Sequence, residues 1–346
     1  MKTPKDIGLS HSDRLFFVAE AGINHNGSLE NAIKLVNIAK RAGADAVKFQ
    51  KRTINKILTK DGLNKLYENA NSFGKTYGEH KENLELSKKD FKELKQYADK
   101  IGIPLIASAW DEESVDFLYE IGVSFYKVAS ADLTNFPLLE YTAKKQLPII
   151  ISTGMADFET VQEAYELVSM INDRIAILQC TSSYPTNHKD INLNVIKTYQ
   201  EHFKSAVVGY SGHEQGISIS IAAAALGAKI IERHFTIDKN MKGGDHKASL
   251  NEEELTTLIK EIRIVETAMG NFCKKKLESE QKCFIKLSKS LVTTQKIKKG
   301  EKIKREHLTT KGPGDGISPM KMYLIIGRVV NRDIDEDTVL YNDYLL

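Results

Sequence analysis

Eight short apolar segments recur along the chain, and this recurrence constrains the fold more than any other feature. The segments are FFVAEAGIN (16–24), AVKFQ (46–50), PLIASAW (104–110), FYKVAS (125–130), PIIIST (148–153), AILQCT (176–181), AVVGYS (206–211) and KIIERHF (229–235). Near-continuous apolar runs of this length are typical of parallel strands that are buried on both faces of a sheet. We therefore predict eight parallel strands.

Most of these segments are followed by a stretch with apolar residues at helical spacing. The predicted helices cover 29–42, 89–100, 111–121, 157–171, 217–226 and 251–269, and most of them end beside a glycine. Repeated units of strand and helix predict a closed (β/α)₈ TIM barrel. The alternative is an open doubly wound sheet, which is disfavoured because the sequence lacks the glycine-rich dinucleotide fingerprint of that fold.

One connection is much longer than the others, with roughly sixty residues between the starts of the second and third apolar runs. The additional segment, residues 51–85, is polar and contains GKTYGEHK (74–81). An insertion that follows a barrel strand lies on the catalytic face, so we expect this segment to act as a lid. The alternative is a surface insertion without a role in function.

The sequence changes in character after Gly270. We predict a catalytic barrel at 1–270, a linker at 271–286 and a small β-rich domain at 287–346, which is rich in short strands and turns. A unit of this size buries little surface alone, so we expect it to dock onto a barrel, its own or a partner's.

Composition excludes several classes of protein. The 49 Lys and Arg residues nearly balance the 46 Asp and Glu residues, and this net charge of +3 argues against nucleic-acid binding. No apolar run is long enough to cross a membrane, so we predict no membrane partner. Cys180, Cys273 and Cys283 form no C-x-x-C pair, which argues against a zinc knuckle or a disulfide framework and favours the cytoplasm.

Polar side chains stand at the carboxyl ends of the predicted strands, where barrel enzymes place their active sites. They include Glu20, Lys48, Gln50, Ser108, Lys127, Ser130, Ser152, Thr181, Tyr184, Ser211, His213, Glu232 and His234. Alternate residues of a strand share a face, so Lys48 and Gln50 point the same way, as do Glu232 and His234. We expect these side chains to converge on one cavity.

The residue types in this cavity suggest its chemistry. Two lysines, Lys48 and Lys127, beside several hydroxyls suit a phosphate or carboxylate group, although one lysine acting through a Schiff base is an alternative. His213 and His234 suit a divalent cation with open coordination positions. General acid or base catalysis, or a hydrogen-bonded core role, is the alternative for these histidines. Glu20 is a candidate base.

Several motifs resemble the sialic acid (N-acetylneuraminate) synthase family over nearly the whole chain. They are AEAGINHNGS (19–28), AGADAVKFQ (42–50), YKVAS (126–130), ISTGM (151–155), LQCTSSYP (178–185), GYSGHE (209–214), ERHFT (232–236) and KIKKGEKIKREHL (296–308). The segments NFPLLEYTAKK (135–145) and KGGDHKASL (242–250), together with residues 74–81, are most similar to the animal-type branch.

This resemblance implies a (β/α)₈ barrel followed by a small antifreeze-like (SAF) domain, in a domain-swapped homodimer. It implies that phosphoenolpyruvate condenses with an N-acetylmannosamine-type sugar, or its 6-phosphate, with Mn²⁺ or Mg²⁺ as cofactor. His213 and His234 match the metal ligands. The positions that match phosphoenolpyruvate contacts are Lys48, Lys127, Ser130, Ser152 and Ser211. Those that match residues facing the sugar or the reacting centre are Glu20, Gln50, Tyr184 and Asp245.

The chain departs from the family pattern in two places. Residues 310–314 lack an arginine that some bacterial members use to contact the partner's substrate, which leaves Lys311 as the adjacent candidate. Ala109 stands where some members have a threonine that contacts the anion. A phosphorylated acceptor would need a further cation, and Lys75, Lys81 and Lys242 are candidates.

Two alternative functions remain open at this point. One is a sister synthase that makes legionaminic, pseudaminic or another nonulosonic acid from a different sugar aldehyde. The other is a non-catalytic carbohydrate-binding protein.

Overall fold

The computed structural model describes residues 2–346, which form two compact units that divide after Gly270. In the first unit eight parallel strands close into a barrel in chain order, which confirms the predicted fold class. The strands are β1 (Phe16–Gly22), β2 (Ala46–Lys51), β3 (Leu105–Ala109), β4 (Tyr126–Val128), β5 (Ile149–Ser152), β6 (Ile175–Cys180), β7 (Val207–Gly212) and β8 (Ile230–His234). Each predicted apolar segment overlaps one of them.

Helices surround the barrel. They are α1 (Leu29–Ala42), α2 (Ile54–Ile57), α3 (Lys60–Asn64), α4 (Tyr77–Asn83), α5 (Lys88–Ile101), α6 (Glu112–Glu120), α7 (Phe136–Ala143), α8 (Phe158–Ser169), α9 (Val195–His202), α10 (Ser218–Ala225) and α11 (Glu252–Met269). Side chains such as Ser28 and Ser87 cap the first turns of α1 and α5. Helices α7 and α9 lie outside the predicted set, as do α2, α3 and α4 of the insertion. Both α7 and α9 are short, begin without a side-chain cap and are not followed by a glycine.

The barrel interior changes from apolar to polar along each strand. The lower positions of the strands form one buried apolar cluster, whose members include Phe16, Val18, Ala46, Ile106, Phe125, Ile150, Ala176, Val207 and Ile230. Ile7 and Leu9, from the segment before β1, belong to the same cluster. Polar or ionisable side chains stand two or four residues further along the same faces. Apolar packing therefore closes the barrel below and leaves charged groups at its carboxyl end.

The long connection after β2 contains α2, α3 and α4, and it packs against loops at the carboxyl ends of the strands. The backbone N–H of Gly243, in the loop after β8, donates to Asn71 Oδ1. A Cβ atom on Gly27, in the loop after β1, would lie 2.2 Å from the carbonyl oxygen of Asn83. The insertion therefore lies on the catalytic face, as the sequence predicted.

The second unit is built on a two-stranded antiparallel sheet of β9 (Ser290–Thr293) and β10 (Leu308–Lys311). It also contains the helices α12 (Gln281–Leu287) and α13 (Met322–Ile325). Its core consists of Leu291, Ile297, Ile303, Leu308, Ile317, Ile325, Val330, Ile334 and Leu340. Across both units, no helix within residues 2–346 has the length and apolar character that a membrane crossing requires.

Candidate active site

A cavity of about 190 Å³ lies at the carboxyl ends of the barrel strands. The predicted site residues that line it are Glu20, Lys48, Gln50, Ser108, Lys127, Ser130, Ser152, Tyr184, Ser211, His213 and His234. Strand register explains the convergence, because Glu20 is paired with both Lys48 and His234, while Ser211 is paired with Glu232. Every strand of the barrel contributes to one polar chamber.

Lys48 lies between two buried carboxylates. Its Nζ atom is 2.8 Å from Glu20 Oε1 and 3.6 Å from Glu232 Oε1. Burial alone would lower the pKa of Lys48, but these two carboxylates raise it above its ordinary value. A Schiff base needs a neutral amine, so this shift disfavours that role for Lys48.

Glu20 and Glu232 differ in their electrostatic surroundings. Burial, together with the charge of Glu232, raises the pKa of Glu20 to about 7, although Lys48 opposes the shift. Burial also disfavours the charged form of Glu232, but Lys127 and Lys48 lower its pKa below the ordinary value. One carboxylate therefore stays ionised while the other exchanges a proton near neutral pH, as acid and base roles require.

Lys127 is the second buried cation of the chamber. Its Nζ atom donates to Ser152 Oγ at 2.6 Å and to the Val128 carbonyl at 2.8 Å, and it lies 3.8 Å from Glu232 Oε1. Burial lowers its pKa, against the attraction of Glu232. Within the chamber, therefore, two ammonium groups face two carboxylates, an arrangement that an anionic ligand can enter by displacing the carboxylate contacts.

Ser130, Gly154 and Ser182 form a compact group of hydrogen-bonding atoms at the wall of the chamber. The N–H of Gly154 donates to Ser130 Oγ at 2.9 Å. A Cβ atom at Gly154 would lie 2.2 Å from Ser182 Oγ and 2.9 Å from Ser130 Oγ, so only glycine fits here. Met155, which follows, has φ of 62°, in the left-handed region that methionine rarely adopts. The loops after β4, β5 and β6 therefore bring two hydroxyls into the same chamber as the lysines, which suits an anion.

The imidazole rings of His213 and His234 are 5.4 Å apart, and Tyr184 packs over His213 at 4.1 Å between ring centres. His213 Nδ1 contacts the Thr181 carbonyl at 2.9 Å, which fixes the orientation of the ring. His234 Nδ1 is buried without a hydrogen-bond partner. Burial, together with the charge of His213, lowers the pKa of His234 well below its ordinary value, so this imidazole is neutral.

Neutral imidazoles with a free nitrogen can bind a divalent transition metal, and the unpartnered Nδ1 of His234 fits that role. The contact between His213 and a backbone carbonyl is the kind of supporting bond that orients metal-binding histidines. Within residues 2–346, no group of three or more His, Cys, Asp or Glu side chains is arranged to hold a metal ion. Water or substrate atoms would therefore have to complete the coordination of a cation held by these two histidines.

Four further residues line or support the cavity and were not among the predicted site residues. Arg52 donates to Gln50 Oε1 at 2.7 Å and pairs with Glu85 of the insertion at 2.7 Å. Its guanidinium lies over the ring of Trp110, which also lines the cavity. Cys180 Sγ is 3.9 Å from His213 Nδ1. The sequence carried a signal for Cys180, on the inward face of β6, and for Trp110, which stands two residues after Ser108 in the same predicted strand segment.

Arg52 connects the insertion to Glu20. Gln50 accepts from Arg52 through Oε1 and donates to Glu20 Oε1 through Nε2 at 3.3 Å. The Arg52 contact therefore fixes which end of the Gln50 amide faces Glu20. Arg52 is 4% exposed, and Glu85 provides its charge partner.

Lys81 and Asp245 lie close to the same arginine. Burial and the charge of Arg52 lower the pKa of Lys81 to about 8, against the attraction of Asp245 and Glu85. Burial raises the pKa of Asp245, against the attraction of His213 and Lys81. Asp245 is half-buried and does not line the chamber itself. It lies in the loop after β8, which His246 anchors by contacting Thr236 Oγ1 at 2.7 Å.

Two predicted site residues are placed elsewhere. The hydroxyl of Thr181 donates to the Asp190 carbonyl, and its side chain faces a separate cavity between α8 and α9. Lys311 lies in the second unit, where it is exposed and paired with Asp337. Their roles in binding substrate stay predictions.

The closed barrel, with paired lysines and carboxylates beside two histidines at the carboxyl ends of its strands, has the architecture of a (β/α)₈ enzyme. The NeuB family model matches residues 35–274, and the SAF domain model matches residues 288–346. The chain belongs to the NeuB family, the sialic acid synthases, and is a transferase that forms carbon–carbon bonds.

Similar proteins support this assignment. The N-acetylneuraminate-9-phosphate synthase of Homo sapiens is 44% identical over 95% of this chain and 92% of its own length. The N,N'-diacetyllegionaminic acid synthase of Campylobacter jejuni is 41% identical over 94% of this chain and 99% of its own. The crystal structure of an N-acetylneuraminic acid (sialic acid) synthetase from Leptospira borgpetersenii is 33% identical, with a TM-score of 0.69 over 78% of this chain and 90% of that one.

Proposed function

We propose that the enzyme condenses phosphoenolpyruvate with N-acetylmannosamine or its 6-phosphate, giving N-acetylneuraminate or its 9-phosphate and inorganic phosphate. In this reaction C3 of phosphoenolpyruvate forms a bond to the aldehyde carbon of the sugar. The aldehyde oxygen gains a proton, and water adds at C2 with loss of a proton. The bond between C2 and the bridging oxygen then breaks, phosphate leaves with that oxygen and the bonding electron pair, and the C2 hydroxyl loses its proton to give the ketone. The observation that carries the proposal is the buried Glu20–Lys48–Glu232–Lys127 group beside the histidine pair.

Phosphoenolpyruvate binds at the lysines in this scheme. Lys48 and Lys127 take up its carboxylate and phosphate charges, with hydroxyl donors from Ser130, Ser152 and Ser211. Binding replaces the carboxylate contacts of the lysines with those of the substrate. The lysines then stabilise negative charge as it shifts to the departing phosphate, in a cavity with little water.

Glu20 moves the proton at the reacting carbonyl. Its carboxyl group lies beside Lys48 and Gln50, and its pKa of about 7 lets it donate and accept near neutral pH. Gln50 and Tyr184 hold the sugar against this group, Ser108 lines the anion site, and Asp245 contributes from the loop after β8.

His213 and His234 would hold the divalent cation, Mn²⁺ or Mg²⁺, with water or sugar oxygens at the open positions. The cation, when bound, supplies Lewis-acid polarisation of the aldehyde. Imidazole ligands favour a transition metal such as Mn²⁺ over Mg²⁺, which prefers oxygen ligands. The neutral state of His234 supports this assignment.

Cations on the insertion and on the loop after β8 favour a phosphorylated acceptor. Lys81 is half-buried next to Arg52 and Asp245, and the Lys242 ammonium lies 4.9 Å from the centre of the Phe73 ring. Lys75, which lies with Lys81 in the insertion of residues 51–85, is exposed. A second phosphate group at this position would offset the repulsion between Lys81 and Arg52, which an unphosphorylated sugar would leave in place.

The second unit is the proposed partner contact. Met320, Tyr323 and Leu324 project apolar side chains into solvent, with exposed fractions from 73% to 93%. Such a patch marks an interaction surface. In a domain-swapped homodimer it covers the partner's barrel, and Lys311 faces the partner's substrate. Met320→Asp with Leu324→Asp in the full chain would yield a monomer by sedimentation; an unchanged mass would exclude this surface from the dimer.

The activity test uses purified full-length protein with phosphoenolpyruvate and Mn²⁺. Parallel reactions receive N-acetylmannosamine, its 6-phosphate, or a 2,4-diacetamido sugar, and both phosphate release and product mass are measured. Turnover with N-acetylmannosamine or its 6-phosphate supports the proposal. Turnover only with the diacetamido sugar would identify a sister synthase instead, and sugar binding without phosphate release or metal dependence would favour a carbohydrate-binding protein.

The cytoplasm is the proposed compartment. Cys180, Cys273 and Cys283 are free thiols within the described chain, and free thiols persist under reducing conditions.

A further inference from the structure

A fully buried ion pair connects the two segments that carry the histidines. Glu214 directly follows His213, and Arg233 directly precedes His234. Arg233 Nη1 donates to Glu214 Oε1 at 2.7 Å, and both side chains are 0% exposed. The pair lies outside the barrel interior, because Arg233 points to the face of β8 opposite that of Glu232 and His234.

The guanidinium also holds the backbone that follows His213. Arg233 Nη2 donates to the Glu214 carbonyl at 2.6 Å, and Nη1 donates to the Gly216 carbonyl at 3.0 Å. The turn after β7 is therefore fastened to β8 at the residue next to His234.

The carboxylate of Glu214 is held from two further sides. Tyr210 donates its hydroxyl to Glu214 Oε2 at 2.8 Å, and Ser220 at the start of α10 donates to Oε1 at 3.0 Å. Gly212 leaves the space for this arrangement, since a Cβ atom there would lie 2.4 Å from Glu214 Oε2. The Glu214 side chain therefore lies in a buried site that is formed by Tyr210, Gly212 and Ser220.

Stability alone does not explain this network. A buried ion pair contributes little net stability compared with apolar side chains of similar volume, whereas it can fix the register of the elements that it joins. Here the ion pair joins β8, which ends in His234, to the turn that begins at His213. Its hydrogen bonds also reach backbone carbonyls of that turn.

We propose that Arg233 and Glu214 are positioning residues, which lock His213 and His234 at the ring separation needed to bind one cation together. We call the Arg233–Glu214 pair and its hydrogen bonds the lock. The expected effect on cation binding depends on the proposed function. The lock acts through the backbone, so neither residue touches substrate or metal.

The test compares variants that weaken the lock with a control that loses an equivalent bond. Tyr210→Phe and Glu214→Gln weaken it, while Tyr97→Phe removes a hydroxyl bond to Asn37 between α5 and α1. Mn²⁺ affinity of the full chain is measured by electron paramagnetic resonance, beside the thermal midpoint. We expect the Mn²⁺ dissociation constant to rise about tenfold or more in both lock variants and to change less than twofold in Tyr97→Phe.

A second measurement separates this inference from the proposed function. Histidine-selective ¹⁵N labelling reports the ring environments of His213 and His234 without metal, and we expect their signals to shift in Tyr210→Phe but not in Tyr97→Phe. Unshifted signals with wild-type Mn²⁺ affinity in both lock variants would overturn the lock. Shifted signals in a protein whose wild type binds no Mn²⁺ would retain the lock and reject the cation. If Glu214→Gln does not fold, Tyr210→Phe decides the outcome.

Discussion

The Nζ atom of Lys48 lies 2.8 Å from Oε1 of Glu20, and both side chains are buried at the carboxyl end of the barrel. Charged groups are costly to bury unless they are paired. In the free enzyme each lysine is therefore compensated by a carboxylate, and an entering anion takes over part of that role. The predictions below test this arrangement.

Removing the charge of Lys48 or Lys127 should weaken the use of phosphoenolpyruvate. We expect Lys127→Met and Lys48→Met each to lower kcat/KM for phosphoenolpyruvate by at least about 10²-fold, because a preorganised charge facing the anion is lost. Steady-state kinetics of phosphate release measure the effect. Lys100→Met, an exposed position in α5, is the control. Near-wild-type kinetics in either chamber variant would remove that lysine from the anion site.

Gly154 should be intolerant of any side chain. Gly154→Ala places a Cβ atom 2.2 Å from Ser182 Oγ, so the two serines must separate. We expect KM for phosphoenolpyruvate to rise about tenfold or more while the thermal midpoint changes little. Gly244→Ala is the matched control, since nothing lies within 4 Å of the added atom there. Equal KM values in the two variants would contradict an anion-binding role for this loop.

The histidines should govern metal dependence. We expect His213→Ala and His234→Ala to fold, to lose high-affinity Mn²⁺ binding and to lose turnover by at least about 10²-fold. Metal titration by calorimetry and activity after chelation test this. His202→Ala, an exposed position in α9, serves as the control. Full activity of the metal-stripped wild type would disprove the metal assignment.

Glu20 should make stability depend on pH in a definite direction. A carboxyl group whose pKa rises from 4.5 to about 7 on folding binds more protons in the native state between these values. The free energy of unfolding contributed by Glu20 is therefore fully present below pH 4.5 and falls as the pH rises to 7. Relative to Glu20→Gln, we expect wild type to lose roughly 3 kcal/mol across this interval. The free energy of unfolding is measured by urea titration at each pH for both proteins. Parallel profiles for wild type and Glu20→Gln would show that folding does not raise the pKa of Glu20.

Arg52 should control the acceptor rather than phosphoenolpyruvate. Arg52→Met frees the Gln50 amide and removes one of the two cations that pair with Glu85, the other being Lys51. We expect KM for the sugar to rise about tenfold, with KM for phosphoenolpyruvate within about twofold of wild type. Arg52→Lys, which keeps the charge but not the fork of donors, should recover only part of the loss. Equal changes in both KM values would place Arg52 in general structural support instead.

Lys81 should affect binding of the 6-phosphate but not binding of the unphosphorylated sugar. Because its pKa is about 8, the ammonium loses its proton as the pH rises past this value. We expect KM for the 6-phosphate to increase between pH 7 and 9 in wild type and to be high and less pH-dependent in Lys81→Met. The unphosphorylated sugar is the control, and the same pH profile with both sugars would exclude Lys81 from phosphate binding.

Much of the barrel could be predicted from local pattern. Apolar runs mark strands with both faces buried, and period-two alternation already placed Lys48 with Gln50 and Glu232 with His234. The site residues followed, since the carboxyl ends of all barrel strands meet at one face. Helices α7 and α9 escaped prediction because they have neither a side-chain cap nor a following glycine, whereas the equally short α10 is followed by Gly227.

The eight strands, the polar residues at their carboxyl ends and the family could all be inferred from local sequence patterns. Which charges pair depends on the folded chain, because partners such as Arg52 and Glu85 are separated along the sequence and meet through the fold of the insertion. The same holds for Arg233 and Glu214, whose outward orientation hides them from a search for cavity residues. Pair distances and burial set the pKa values, and both exist only once the strands have closed into a barrel.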